Sequence, residues 1–214
     1  MKSIQILLPV LLLTTFHHII IKPEFKAALL GNIESAETRY LIHPEKSEIT
    51  WVARKTGGGH TGRLTIKRGF FHLNNGRIEA ARVIADMRSI SVMDVKRPKM
   101  IAKLTAHLNS DDFFSTENYP EAEFGLTSIE PLLNPGVGLP NYLVSGVITV
   151  KGIMQQVSFP ATITFDKAQL KATAGLSLNR NDWNLKLKGF GDKLIKDPFS
   201  LIISIVAIAD DSKL

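Results

Sequence analysis

Residues 155–178 read Gln155-Gln-Val-Ser-Phe-Pro-Ala-Thr-Ile-Thr-Phe165, then Asp166-Lys-Ala168, then Gln169-Leu-Lys-Ala-Thr-Ala-Gly-Leu-Ser-Leu178. In the first run Val157, Phe159, Ala161, Ile163 and Phe165 alternate with Ser158, Pro160, Thr162 and Thr164. In the second, Leu170, Ala172, Ala174, Leu176 and Leu178 alternate with Gln169, Lys171, Thr173 and Ser177. A period of two on both sides of a short polar turn is the signature of a hairpin with one apolar and one polar face. The alanines at 161, 172 and 174 leave room on the apolar face that larger side chains would fill. Two outcomes stay open at this point: a cavity, or a tapering core in which small residues sit opposite Phe and Ile.

The same reading extends outward. Strands are expected at 48–55, 62–73, 77–88, 122–130, 142–151, 155–165, 169–178 and 199–209, with Asn74-Asn75-Gly76 as a tight turn because Asn and Gly tolerate positive φ. One segment breaks the series. Met100, Ile101, Leu104 and Leu108 recur at helical spacing behind Pro98, which suits an early helical position. The helix then meets Asp111-Asp-Phe-Phe-Ser-Thr-Glu-Asn-Tyr-Pro120, where Pro120 ends helical geometry and starts the extended run Ala122, Phe124, Leu126. Phe113 and Phe114 read as core-capping aromatics. The expected fold is therefore all-β: an eight-stranded antiparallel barrel with a helical insertion between the third and fourth strands. Closure removes the exposed edges that an open sheet must protect, and eight strands suffice to hold one small ligand.

The 214 residues suit one all-β domain, and they include no cysteine, which excludes disulfides, thiolate metal sites, a cysteine nucleophile and a lipid-modified N-terminal cysteine. The formal charge is +6, with acidic residues close to most cations. No basic run has interleaved aromatics, so a nucleic-acid partner is not expected; two readings of the positive surface stay open, transient contact with an anionic membrane surface and a merely soluble surface. At the N-terminus, Lys2 precedes an apolar run from Ile4 to Phe16 of signal-peptide length. Ile19 to Ile21 prolong that run past His17-His18, and neither Ala28 nor Gly31 sits in a clean small-x-small site. Residues 1–31 are read as a signal peptide, with an uncleaved inner-membrane anchor as the alternative. Residues 32–39 are read as a linker, 40–210 as the barrel domain and 211–214 as a tail. The expected location is the periplasm.

Several motifs in order resemble one family. They are Trp51 with Lys55 and Gly58-Gly-His-Thr-Gly62; Asp86-Met-Arg-Ser-Ile90; and Leu108-Asn-Ser-Asp-Asp-Phe-Phe114 with Asn118-Tyr-Pro120. Then follow Gly146-Val-Ile-Thr-Val-Lys-Gly152, Asn179-Arg-Asn-Asp-Trp183 and Gly191-Asp-Lys-Leu-Ile-Lys-Asp197. From about Tyr40 to Ala209 the chain resembles the YceI-like lipid-binding proteins of bacteria, lipocalin-like barrels that enclose a polyisoprenoid or similar amphiphile. It departs from them at Asn184, where family members often carry Gly after the Trp.

With the apolar faces already described, the resemblance implies an exported protein that sequesters or carries a long-chain amphiphile, with a bound isoprenoid and no required cofactor. The candidate lumen residues are Phe124, Leu126, Val157, Phe159, Ala161, Ile163, Phe165, Leu170, Ala172, Ala174 and Leu176. Candidate headgroup contacts are His60, where flanking glycines let a ligand approach, and Arg180, Asp182 and Trp183 on the loop before the last strand. Arg180 and Asp182 also fit a simpler role, tying that loop to the barrel. Gly57-Gly58-Gly59 lacks the Lys-Ser/Thr ending of a phosphate loop. The six histidines show no ligand spacing beyond His17-His18, and adjacent Asp111-Asp112 read as solvated acids rather than a cation site. No metal site and no catalytic residue is assigned. Two other readings compete: a periplasmic stress-related or structural partner with a packed barrel, and a quinone- or lipid-linked enzyme using His60. Interior volume past Phe124, Phe159, Ala172 and Leu176 discriminates the first from a carrier. The patterns carry no signal for oligomeric state.

Overall fold

The computed structural model describes residues 37–186 and 195–210. The leader, the start of the linker, the tail, and the Gly191-Asp-Lys-Leu194 portion of the last motif lie outside the described residues. Among the described residues nine strands form one sheet: β1 (Glu37–Ile42), β2 (Glu48–Lys55), β3 (Gly58–Asn74), β4 (Arg77–Val92), β5 (Glu121–Pro131), β6 (Tyr142–Val150), β7 (Ile153–Phe165), β8 (Gln169–Asn179) and β9 (Ile195–Ala209). One helix, α1 (Pro98–Asn109), lies between β4 and β5.

From β2 to β9 every consecutive pair is antiparallel, and β9 pairs back with β2 to close the barrel. The ninth strand does not add a ninth position around it. β1 and β2 both pair with β3 on one side and β9 on the other, Leu41 opposite Phe70 and Ile49 opposite Leu64. They run end to end in one slot, separated by a 3-10 turn at Pro44–Lys46.

The sequence reading placed the helix between the third and fourth strands and ended the linker at residue 39. With β1 in place the helix falls between the fourth and fifth strands, and the strand starts at Glu37. The miss has a physical cause. β1 has six residues and buries only Tyr40 and Ile42, too short an alternation to stand out in sequence. Its stability comes from hydrogen bonding to the far halves of β3 and β9, not from local preference.

Turn chemistry sets the hairpins. Asn75 and Gly76 have φ of 50° and 74° between the paired Asn74 and Arg77, the two-residue geometry whose twist matches the flanking strands. Lys151 and Gly152 repeat it at 51° and 74° between Val150 and Ile153. The departure at Asn184 resolves in the same terms: its φ of 53° is left-handed, a conformation that Asn tolerates nearly as Gly does.

The barrel has two unlike ends. At one, Tyr40, Ile42, Leu73, Ile78, Leu170 and Ala207 pack into a solid plug, and the Tyr40 hydroxyl donates to the Asp166 carbonyl at 2.6 Å. Burial, with the Asp166 charge adding to it, raises the Tyr40 pKa. At the other end α1 packs through Leu104 and Leu108 onto Trp51, Ile90 and Val92, and Phe113 and Phe114 follow it onto the same cluster. Among the described residues no helix is long and apolar enough to cross a membrane.

Candidate functional site

Between the plug and α1 the barrel interior holds a cavity of about 220 Å³. Inward alternation on successive strands builds its wall. β7 contributes Phe159, Ala161 and Ile163, β8 contributes Ala172, Ala174, Leu176 and Leu178, and β9 contributes Phe199, Leu201, Ile203 and Ile205. Register aligns these rows, because Ala161 lies opposite Ala174 and Ile163 opposite Ala172 across β7 and β8. Ala172 in turn lies opposite Ile205 on β9. The alanines therefore form a recess between bulkier neighbours. Across β6 from β7, Phe124 of β5 meets Phe159 with ring centroids 5.8 Å apart.

Of the residues assigned from sequence, Phe124, Phe159, Ala161, Ile163, Ala172, Ala174 and Leu176 line this cavity, as do Arg180 and Trp183. Four lumen assignments do not, and two reasons account for them. Leu170 is fully buried in the plug, and Phe165, its register partner, is 36 % exposed at that closed end. Leu126 and Val157 sit either side of Gly146 in the ladder. A Cβ on Gly146 would run into the Phe124 ring, so that ring covers the stripe where Leu126 and Val157 pack against the core. Alternation had placed all four on the inner face, but depth along the barrel and cover by a neighbouring ring decide what meets the cavity.

The headgroup candidates separate in the same way. Arg180 and Trp183 lie in a 3-10 turn, Arg180–Trp183, stabilised where the Asn179 side chain accepts from the Asn181 amide. Arg180 is buried; its Nη1 donates to the Leu185 carbonyl at 2.8 Å and its Nη2 lies 3.1 Å from Asp197 Oδ1. It thus ties the loop to β9 and also reaches the cavity wall. Trp183 is buried beside it, its Nε1 donating to the Ile148 carbonyl at 3.4 Å. Asp182 is exposed, away from the cavity, and its carbonyl accepts from Gln155 Nε2 at 2.7 Å.

His60 is also away from the cavity. It joins Asp94 through Nδ1 at 3.1 Å and Lys55 through Nε2 at 3.2 Å. The Thr61 amide donates to the other Asp94 oxygen at 3.0 Å. Partial burial pushes the Asp94 carboxyl up, and the Thr61 and His60 hydrogen bonds outweigh it and hold the pKa below the ordinary value. The set clasps the chain leaving β4 to the start of β3.

Sequence reasoning missed much of the wall: Ile49, Trp51 and Leu64, the β4 row Ala81, Val83, Ala85 and Met87, and Leu108, Phe113 and Phe114 at the helical end. The alternation of Ala81, Val83, Ala85 and Met87 was the available signal. Trp51 is distinctive because its buried Nε1 has no hydrogen-bond partner among the described residues. An unmet indole N–H in an apolar wall costs free energy until an acceptor reaches it. Among the described residues no three His, Asp or Glu side chains converge as metal ligands.

The YceI-like domain matches residues 40–207, the whole of the barrel apart from its first and last few residues. The chain belongs to the YceI-like family. It is 27 % identical over 173 residues to UPF0312 proteins of Pseudomonas putida, covering 76 % of this chain and 84 % of theirs. Among solved structures it resembles Burkholderia cenocepacia BcnA, with a TM-score of 0.60, 21 % identity, and coverage of 78 % of this chain and 99 % of that one. It also resembles a polyisoprenoid binding domain from Saccharophagus degradans implicated in plant cell wall breakdown. There the TM-score is 0.58 at 13 % identity, with 83 % of this chain and all of that one covered. At such identities these two likenesses speak for the fold.

Proposed function

We propose that this chain is an exported lipid-binding protein that sequesters or carries a polyisoprenoid or similar amphiphile in its barrel, without chemistry of its own and with no required cofactor. The observation that carries the reading is the apolar cavity passing Phe124, Phe159, Ala172 and Leu176, the stretch where a packed barrel would have been solid. Each methylene buried there contributes about 0.8 kcal/mol, so an isoprenoid chain binds with little need for headgroup recognition. The polyisoprenoid-binding relative supports the same ligand class. Trp51 Nε1 offers a single donor to a ligand oxygen, and Arg180 and Lys196 bring cations to the wall. His60, held by Lys55 and Asp94 outside the cavity, has the geometry of a clasp and not of a base acting on a lumen ligand.

Organic extraction and mass spectrometry of the protein purified from its native host tests the reading. A co-purifying isoprenoid lipid is expected; reproducible absence of any lipid would favour the structural-partner alternative. Export is proposed on the apolar run behind Lys2. N-terminal sequencing of periplasmic and membrane pools should find a periplasmic form lacking roughly the first 25 to 36 residues. An intact Met1 confined to the membrane pool would make the protein an anchored carrier.

A further inference from the structure

From Val95 to Ser110 the chain carries Lys96, Arg97, Lys99 and Lys103 and no Asp or Glu. The fold turns this stretch into a surface. Because α1 docks inward through Leu104 and Leu108, Lys99 and Lys103 lie on its outer half, with Lys96 and Arg97 just before its first turn; Met100, one turn before Leu104 on the docking stripe, is left half-exposed at the start of the helix. All four cations are exposed, and none makes an ion pair among the described residues. On the barrel wall, by contrast, four cations are paired: Arg63 with Glu48, Lys67 and Arg68 with Glu121, and Arg82 with Glu123. Met93, just before the basic run, and Met100, within it, are 51 % and 50 % exposed. This face is the outer side of the helix whose Leu108 lines the cavity.

We propose that α1 and the loop before it form a docking surface for an anionic phospholipid bilayer, which presents the cavity end of the barrel to the membrane. Four uncompensated cations complement an anionic lipid surface, and each contributes roughly a fivefold gain in partitioning. Flexible, apolar methionine side chains suit insertion at the headgroup level. A single-stranded nucleic acid would want aromatic platforms among the cations, and residues 95–110 contain none. The proposal goes beyond lipid carriage and does not depend on what fills the cavity.

The chain has no cysteine, so Met100→Cys in the full-length protein creates a single site for an environment-sensitive fluorophore. Leu133→Cys, at a 91 % exposed position on the opposite end, serves as the control. This placement separates docking through α1 from any insertion of the apolar N-terminal run. With vesicles of phosphatidylethanolamine and phosphatidylglycerol the Met100 label should shift to the blue and the Leu133 label should not. The response should vanish with pure phosphatidylcholine vesicles and fade at high salt, as screening of exposed charges requires. Lys96→Glu, Arg97→Glu, Lys99→Glu and Lys103→Glu combined should weaken the partitioning reported by the label at least about a hundredfold while circular dichroism shows the barrel intact. A Met100 label that stays unchanged, that responds equally to phosphatidylcholine, or that responds only to an acidic protein or to nucleic acid would overturn the proposal.

Discussion

The Trp51 indole lies against Gly62, its register partner on β3, so closely that a Cβ at position 62 would come within 2.6 Å of Cζ2 and would collide with the Ser91 carbonyl. Glycine here is a packing requirement: the indole occupies the space that any side chain would take, between the helical end of the barrel and the cavity wall. The smallest substitution therefore tests the wall.

Gly62→Ala should destabilise the barrel by about 1 to 3 kcal/mol, the usual range for overfilling a packed site, with Trp51 fluorescence reporting the displaced ring. Gly125, where a Cβ would meet nothing within 4 Å, is the matched control. Gly125→Ala should cost far less in chemical denaturation. Equal losses at the two positions would show that both the indole and the Ser91 backbone can move aside.

Ala161→Phe and Ala172→Trp fill the recess between β7, β8 and β9. Each should abolish or strongly reduce isoprenoid uptake at a stability cost below the roughly 1 to 3 kcal/mol expected when a solid core is overfilled, because each new ring enters space that is open in the barrel. Denaturation midpoints and binding titrations on the same preparations give both readouts. Unaltered uptake by the folded double variant would reject this wall as the ligand site.

Cavity size sets a chain-length limit. A cavity of about 150 Å³ accommodates benzene, so the 220 Å³ here encloses on the order of ten carbons by the same scaling. Affinity for a series of isoprenols should rise steeply up to about the ten- to fifteen-carbon members and then level off, the remaining units of a longer chain lying outside the cavity. Calorimetric titration of the series checks this. Continued tightening through the longest members would mean that the barrel dilates around its ligand.

Acid should weaken one specific tie. Glu121 hydrogen-bonds Arg68 and is approached by Lys67, and these cations lower its carboxyl from 4.5 to about 2. A pKa lower in the folded state than in the unfolded chain stabilises the fold above 4.5, and that contribution fades as pH falls from 4.5 toward 2. Glu121→Gln should therefore melt below the parent protein at neutral pH, and the gap should narrow as pH is lowered through that window. A gap that is the same at every pH would show that the pair contributes nothing through its charge, a frequent outcome for exposed ion pairs.

What the amino-acid sequence determined by itself is local. Strands β2 to β9, the α1 helix and the Asn75-Gly76 turn are legible because period-two alternation, helical spacing and positive-φ residues act over a few neighbours. The face of each strand is legible for the same reason, and so is the likelihood of a recess at Ala161, Ala172 and Ala174. Depth is not. Leu170 and Ala172 share a face two residues apart, yet Leu170 belongs to the plug formed with Tyr40, Ile42 and Ala207, and Ala172 to the cavity. The residues that separate them come from β1 and β9, far away in the chain. Tertiary structure alone decided that β1 and β2 share one slot, that Phe124 covers Leu126 and Val157, and that Arg180 reaches the wall while His60 clasps β3 to the end of β4. It also left the basic run Lys96, Arg97, Lys99 and Lys103 exposed and without a carboxylate partner among the described residues. Each of these depends on which side chains closure of the barrel brings together, and contacts made across the whole chain leave no periodic trace in its sequence.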